Sequence, residues 1–400
     1  MLAAFVARMV SPEITLAAWG SLVYPISLVV EGPIIMLLTA STALAKDLPS
    51  YKKLFKFMLI MSLVLSAIHI LIAFTPLFFF VANDLMNVPK ALLGPGKTGL
   101  QIMTPWTLMI AWRRLNQGVM IKHGSSNMVA IGTAIRLITL VFVLSYGRWF
   151  SDLSGIIVGS SAVALAVTAE AIYAQLAVRR ILRGILSKEN VSEQVTRKSF
   201  IRFYLPLAIT PLASLLIHPV GSAGMSRMPE ALPSLAAWPV VYGLVFITRS
   251  LGFAFNEVVV ALLPHPNGKL ELLRFTRILA ISTSAFLGVL ALTPIGGYWF
   301  LYVAGLSEEL AYISSITLVF AILMPGYQAY QAWYSGLLVN KNQTNGISFA
   351  VLIYAIIAII GLWLGTRLAT FPGIYWAVNV FVFAGLSQTL YLRYSYKRIG

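Results

Sequence analysis

The chain alternates long apolar runs with short polar connections. Eleven apolar segments stand out, at about 12–44, 55–80, 99–121, 127–147, 153–178, 200–225, 232–263, 276–302, 310–339, 345–366 and 372–394, after an apolar stub at 1–10. Most reach the roughly 20 residues that an α-helix needs to cross a hydrocarbon layer of about 30 Å. They are too long and too uniformly apolar for barrel strands, which alternate over about 10 residues. The pattern predicts an all-α polytopic membrane protein with about eleven complete spans. The one sustained polar run, SKENVSEQVTRK, separates the fifth segment from the sixth.

Some of the polar punctuation recurs. RMVSPEITLAAW at 8–19 returns as RMPEALPSLAAW at 227–238, 219 residues later. LFKF (54–57) returns as LLRF (272–275), and each is followed by Thr-Pro, at Thr75-Pro76 and Thr293-Pro294, 218 residues apart. Gly118 followed by VMIKHGSSN and Gly336 followed by LLVNKNQTN keep the same shift of 218. Weak matches in one order at nearly one offset indicate two homologous halves. The expected division is an N-terminal lobe at 1–180, a cytoplasmic linker at 181–199 and a C-terminal lobe at 200–400. Six helices per half make the repeats parallel, related by an axis along the membrane normal, a layout known from secondary transporters. A repeat retained only for assembly is the alternative. The helix preceding Arg227 covers 199–226, and only its last seven positions have equivalents before Arg8. The first helix is therefore expected to be largely missing, with a start assigned too late favoured over a genuinely short one.

Composition agrees with the pattern: 59% of residues are hydrophobic and 10% charged, against about 25% charged in soluble domains. The net charge of +16 suits either nucleic acid or the basic cytoplasmic loops of membrane proteins, and its placement decides. Nineteen Lys and Arg fall in alternate connections and at the C-terminus, six fall in the opposite set, and four (Arg113, Arg114, Arg136 and Arg249) lie inside spans. That is the positive-inside bias. It predicts a plasma (bacterial inner) membrane protein with a cytoplasmic C-terminus, lipid head groups as partners of the basic loops and no nucleic acid. The absence of cysteine excludes disulfides and thiol chemistry. No phosphate-binding glycine loop, zinc motif or cleavable signal pattern is present, and the scattered acids and histidines form no nucleophile–base set. The expectation is a non-enzyme without cofactor or metal, working as a monomer and driven by an H+ or Na+ gradient, by facilitated flow or by an unseen partner.

Several segments resemble the multidrug/oligosaccharidyl-lipid/polysaccharide (MOP) exporter superfamily, nearest its progressive ankylosis (ANK) family. They are EGP (31–33), AW (111–112) with GVMIKHG (118–124), PLAITPLASLLIHPVGSAGMSR (206–227), AAWPV (236–240) and PGYQAYQAWYSG (325–336). The resemblance implies a MATE-like fold of two pseudo-symmetric six-helix lobes, a cleft lined by the first, second, seventh and eighth helices, and export of small organic or phosphorylated anions. A lipid-linked oligosaccharide or polysaccharide flippase and a MATE-type cation-coupled multidrug antiporter are the alternatives. The antiporter would want acids dominating its cleft.

Charges inside spans are costly and face partners or water. Arg249 is the strongest candidate for an anion, because its planar fork matches carboxylate and phosphate. Asn256 lies on the same helix face, with Glu257 about 100° further round. Glu31 sits at nearly the repeat position of Arg249, so the two are expected either to form a pair that responds to lobe rocking or to be a static ion pair. Arg113 shares a face with Asn116 and Gln117, whereas Arg114 is free to reach the interface. Gln328 and Gln331 are three apart and suit either a polar substrate or interhelical hydrogen bonding. Arg136 and Glu170 point to packing, as do His69, His218, Trp19 and Trp238. Pro25, Pro33, Pro239 and Pro325 are expected to break helices as hinges around a wet cavity.

Overall fold

We analysed a computed structural model of the chain. It describes residues 2–186, 215–341, 343 and 345–399, together with 200, 201, 204, 205 and 208. The expected linker from 187 onward and much of the 200–225 segment lie outside the described residues. In chain order the main helices are α1 (Leu2–Val6), α2 (Pro12–Leu44), α3 (Leu48–Phe74), α4 (Leu93–Ile102), α5 (Trp106–Lys122), α6 (Ser126–Phe150) and α7 (Gly155–Ile181). They continue with α8 (Ile217–Met225), α9 (Ala231–Leu262), α10 (Gly268–Leu292), α11 (Glu308–Ala321), α12 (Met324–Asn340), α13 (Asn345–Leu368) and α14 (Gly373–Ile399). Among the described residues nine helical stretches are long and apolar enough to cross a membrane. They coincide with nine of the eleven apolar segments. Of the other two, 99–121 breaks at Met103–Pro105 between α4 and α5, and 200–225 is mostly undescribed.

The repeat extends to the backbone. A shift of 218 residues carries α5 onto α12 and α7 onto α14 end for end. Positions with positive φ recur too: Ser11 (φ 50°) matches Glu230 (φ 50°), and Asn87 (φ 53°) matches Gly305 (φ 75°). Close helix approaches follow the same rule. A Cβ on Gly118 would lie 2.3 Å from the Leu38 carbonyl oxygen in α2, and one on Gly336 would lie 2.4 Å from Val259 in α9. Small residues at such crossings let membrane helices pack through their backbones. The outer faces of α6 and α13 expose apolar side chains, among them Ile138, Phe142, Leu352 and Ile359, as helices facing lipid do.

Local chemistry sets the ends and bends. At the start of α3 the Asp47 carboxylate accepts from the Ser50 N–H (2.8 Å), and Ser50 Oγ accepts from the Asp47 N–H (3.0 Å). This capping box satisfies two donors that the first turn cannot. In α2 the helix widens into a π-turn at Trp19–Val23, just where the ring of Pro25 would strike the carbonyl four residues earlier. Pro33 sits in a 3-10 turn at Gly32–Ile34, and Pro325 opens α12 after a break at Ile322–Leu323. Pro239 departs from expectation: α9 runs unbroken through it. Its ring lies against Gly20 of α2, where a Cβ would come within 2.8 Å of Pro239 Cδ. Gly20 and Pro239 are repeat equivalents, so the pseudo-twofold axis passes through this contact.

The lobes meet at one end of these long helices, where α1 and the Pro12–Glu31 part of α2 pack against α8 and α9. Two arginines cross the junction there. Arg8 donates to the carbonyls of Tyr302 and Val303, which end the π-turn Trp299–Val303 of the other lobe. Arg227 donates to the carbonyls of Leu85 (2.9 Å) and Met86 (3.0 Å), at the end of the π-turn Phe80–Leu85. Each also binds the carbonyl four residues back in its own lobe, Ala4 for Arg8 and Ala223 for Arg227. Beyond the linker, Phe200 stacks on Phe57 at 4.6 Å, and the Tyr204 hydroxyl donates to the Pro33 carbonyl. The start of that segment therefore leans on the N-terminal half.

Candidate functional site

A cavity of about 550 Å³ opens between α9, α12, α13 and α14. Gly252 in α9 permits it, because a Cβ there would lie 2.7 Å from Gln328 Cγ and 3.2 Å from the α12 backbone. The close crossing brings Arg249 to Gln328, and Arg249 Nη2 donates to Gln328 Oε1 at 2.8 Å. The guanidinium stands 5.6 Å from the Phe253 ring centre and 5.8 Å from that of Tyr327, within cation–π range. Its Nε has no partner, nor has Asn256 Oδ1. Gln331 donates to the Gly385 carbonyl (3.0 Å) and to Gln388 Oε1 (3.1 Å). The described residues that line the cavity lie within 215–388, and none of them is a carboxylate. Among the described residues the site thus presents one half-buried cation, held by a neutral amide and by rings.

A smaller cavity of about 230 Å³ lies where the lobes meet, between Trp19, Tyr24 and Pro25 on one side and Trp238, Pro239 and Tyr242 on the other. It shares His218, Trp238, Tyr242 and Phe246 with the larger one. His218 packs against the edge of Tyr242, 5.2 Å between ring centres. His69 instead is a packing residue, its Nε2 2.9 Å from the Leu100 carbonyl oxygen.

The sequence candidates separate into two sets. Arg249, Asn256, Gln328 and Gln331 come together at the cavity. Glu257 is exposed and outside its lining. Arg113 belongs to a buried network in the other lobe: its Nη1 donates to Glu170 Oε2 at 2.6 Å, Gln117 donates to Glu170 Oε1 at 3.1 Å, and Arg136 Nε stands 3.5 Å away. Glu31 is also buried there, in the field of Arg114 and Arg113, with Oε2 unpartnered. No ion pair joins Glu31 to Arg249, and that expectation is corrected. Each side chain turns into its own lobe, since the amide and rings around Arg249 come from α9 and α12 and not from α2.

The repeat relates the two sets. At a shift of 218, Arg113, Arg136 and Glu170 become Gln331, Tyr354 and Gln388. The same spot is closed by an ion triad in one lobe and lined by amides and a tyrosine around open space in the other. Tyr354 and Gln388 were missed from sequence, as were the cavity roles of His218, Trp238 and Tyr242. Applying the repeat offset to Arg136 and Glu170 would have found the first two.

No family model matches the sequence, and no curated protein matches it. Among solved structures, an inward-facing multidrug resistance MATE transporter of the MOP superfamily aligns over 100% of this chain and 94% of its own, at TM-score 0.74 and 14% identity. The chain has the MATE fold. The lipid II flippase MurJ, in an inward closed conformation, aligns over 99% of this chain and 86% of its own, at TM-score 0.68 and 16% identity. A MOP superfamily transporter from Pyrococcus furiosus, described as having a binding pocket of reverse polarity, aligns over 100% and 91%, at TM-score 0.67 and 12% identity. Within the MATE fold of this chain, the cavity between α9 and α12 belongs wholly to the C-terminal half.

Proposed function

We propose that the chain is a membrane exporter that moves a small organic or phosphorylated anion by alternating access of its two lobes. The observation that carries this is Arg249, a half-buried cation held by a neutral amide in a cavity whose described lining holds no carboxylate. A half-buried cation with no acid beside it has lost part of its hydration, and an anionic ligand that enters the cavity offsets that loss. The inward-facing and inward closed states of the MATE transporter and of MurJ support alternating access. The ANK branch of the superfamily rests on the shared segments, chiefly 206–227 and 325–336. Flipping of a lipid-linked oligosaccharide is the second reading, because MurJ shares the fold and such a substrate also wants a cationic cavity. A drug-cation antiporter is disfavoured, since Glu31 and Glu257 lie outside the cavity lining. The proposal includes residence in the plasma (bacterial inner) membrane, a cytoplasmic C-terminus, a monomer, coupling to H+ or Na+, and no enzymatic activity.

Proteoliposomes loaded with citrate, pyrophosphate, a nucleotide, an aromatic sulfonate or a cationic dye test it. Uptake or release of at least one anion is expected, falling at least tenfold in Arg249→Ala. Transport of the dye alone, unaffected by that substitution, would reject the reading.

A further inference from the structure

Resting on the anion reading, we infer that the cavity takes an amphiphile with a single anionic group and an aromatic or aliphatic body. The charge inventory limits the head. Arg249 is the one charged group among the described residues that line the cavity, so a second or third negative charge on a ligand meets no further cation there. The free Nε of Arg249 is a donor without an acceptor, and it marks where the head group sits. The rest of the wall defines the body. Trp238, Tyr242, Phe246, Phe253 and Phe381 line the volume along with Met324 and Val351. A compact polyanion would leave these faces in contact with water or vacuum, whereas an apolar body removes both them and itself from water. At about 550 Å³ the cavity falls within the range of drug-sized ligand sites, about 300–1,000 Å³. Gln388 keeps the site selective for anions. The repeat equivalent in the other lobe is Glu170, and a carboxylate at 388 would put a negative charge into the wall of the cavity that Arg249 also lines.

A graded set of probes tests this on the purified full-length protein, with binding followed by calorimetry. 2-Naphthalenesulfonate has one fixed charge and an aromatic body, methanesulfonate has the head alone, and a naphthylmethyl trimethylammonium has the body with the opposite charge. Citrate and pyrophosphate are the polyanions. The expected order puts 2-naphthalenesulfonate at least tenfold tighter than every other probe, with a tenfold loss in Arg249→Gln and in Gln388→Glu. Tighter, Arg249-dependent binding of citrate or pyrophosphate overturns the amphiphile but leaves the anion site standing. Preference for the trimethylammonium probe, indifferent to Arg249, overturns both. The order of probes on the unaltered protein decides even where a variant fails to fold.

A second inference rests on separate residues. Arg8 and Arg227, the first letters of the repeated motif, reach in opposite directions across the same end of the lobe junction. Each inserts a cation at the carbonyl end of a π-turn, where the helix dipole favours it. We infer that the pair is a symmetric clasp which holds this end of the molecule shut and must open when the lobes rock. The chain has no cysteine, so cysteines introduced at the exposed positions Val10 and Glu308 take spin labels without background. In proteoliposomes, Arg8→Ala with Arg227→Ala is expected to add a longer-distance population, with each single variant intermediate and Arg8→Lys near the parent. A distance distribution unchanged in the double variant, eluting as the parent does on size exclusion, overturns the clasp.

Discussion

Arg113 and Arg249 show how the same side chain differs with its surroundings. Arg113 is matched by Glu170 at 2.6 Å, in a buried network completed by Gln117 and Arg136. Removing one member of such a network leaves a buried charge uncompensated, at a cost of about 3–5 kcal/mol. Glu170→Ala is therefore expected to lower the melting temperature in detergent sharply, or to prevent recovery of folded protein. The repeat-equivalent change, Gln388→Ala, removes only an amide–amide hydrogen bond (3.1 Å), worth about 0.6 kcal/mol between membrane helices. It is expected to leave the melting temperature within a few degrees of the parent while weakening anion binding. Equal melting losses for the two would contradict the contrast drawn between the lobes.

Among the elements, the crossings of α2 with α5 and of α9 with α12 share a glycine but not its surroundings. The Cβ of Gly118→Ala meets the Leu38 carbonyl oxygen at 2.3 Å, part of a helix backbone that cannot turn aside. At Gly336 the neighbour is the Val259 side chain at 2.4 Å, with the nearest backbone atom at 3.6 Å. Overpacking of this kind costs about 1–3 kcal/mol, and Gly118→Ala is expected to be the more destabilising of the two in thermal unfolding. Pro239 gives the opposite expectation. The helix already runs through it, so Pro239→Ala restores a backbone donor without moving a hinge, and the melting temperature is expected to hold or rise. A large drop would show that the ring's contact with Gly20 contributes more than the missing hydrogen bond.

For the whole molecule, nineteen basic residues on one set of connections against six on the other set the expected orientation. A fluorescent protein fused after Gly400 is expected to fluoresce, and alkaline phosphatase at the same point to be inactive. The reverse result places the C-terminus outside. The repeat was legible because its marks are local: Arg8 and Arg227, Gly118 and Gly336, and Thr75 and Thr293 each do the same backbone task in both halves. The site was legible only in part. Arg249, Asn256, Gln328 and Gln331 stand out as polar groups in apolar spans. Trp238, Tyr242 and Tyr354 do not, because aromatic residues in a membrane helix serve packing as readily as a cavity. The expected Glu31–Arg249 pair failed because the repeat fixes equivalent depth without fixing the direction of a side chain.

Reading the residues alone is enough to establish a helical membrane protein of two repeated halves, the pairs of positions that correspond between them, and the expected side of the basic loops. These follow from span length, periodicity and charge placement, which act over one helix or one loop at a time. Which of the charges inside the spans are matched emerges from the packed helices. Arg113 meets Glu170 across 57 residues of chain, and Arg249 meets Gln328 across 79. Whether an arginine finds a carboxylate or an amide at such separations depends on which helices cross and how closely. That is set by glycines such as Gly252 and by the packing of each lobe. One lobe closed its polar centre with an ion network, and the other left it open around a single cation.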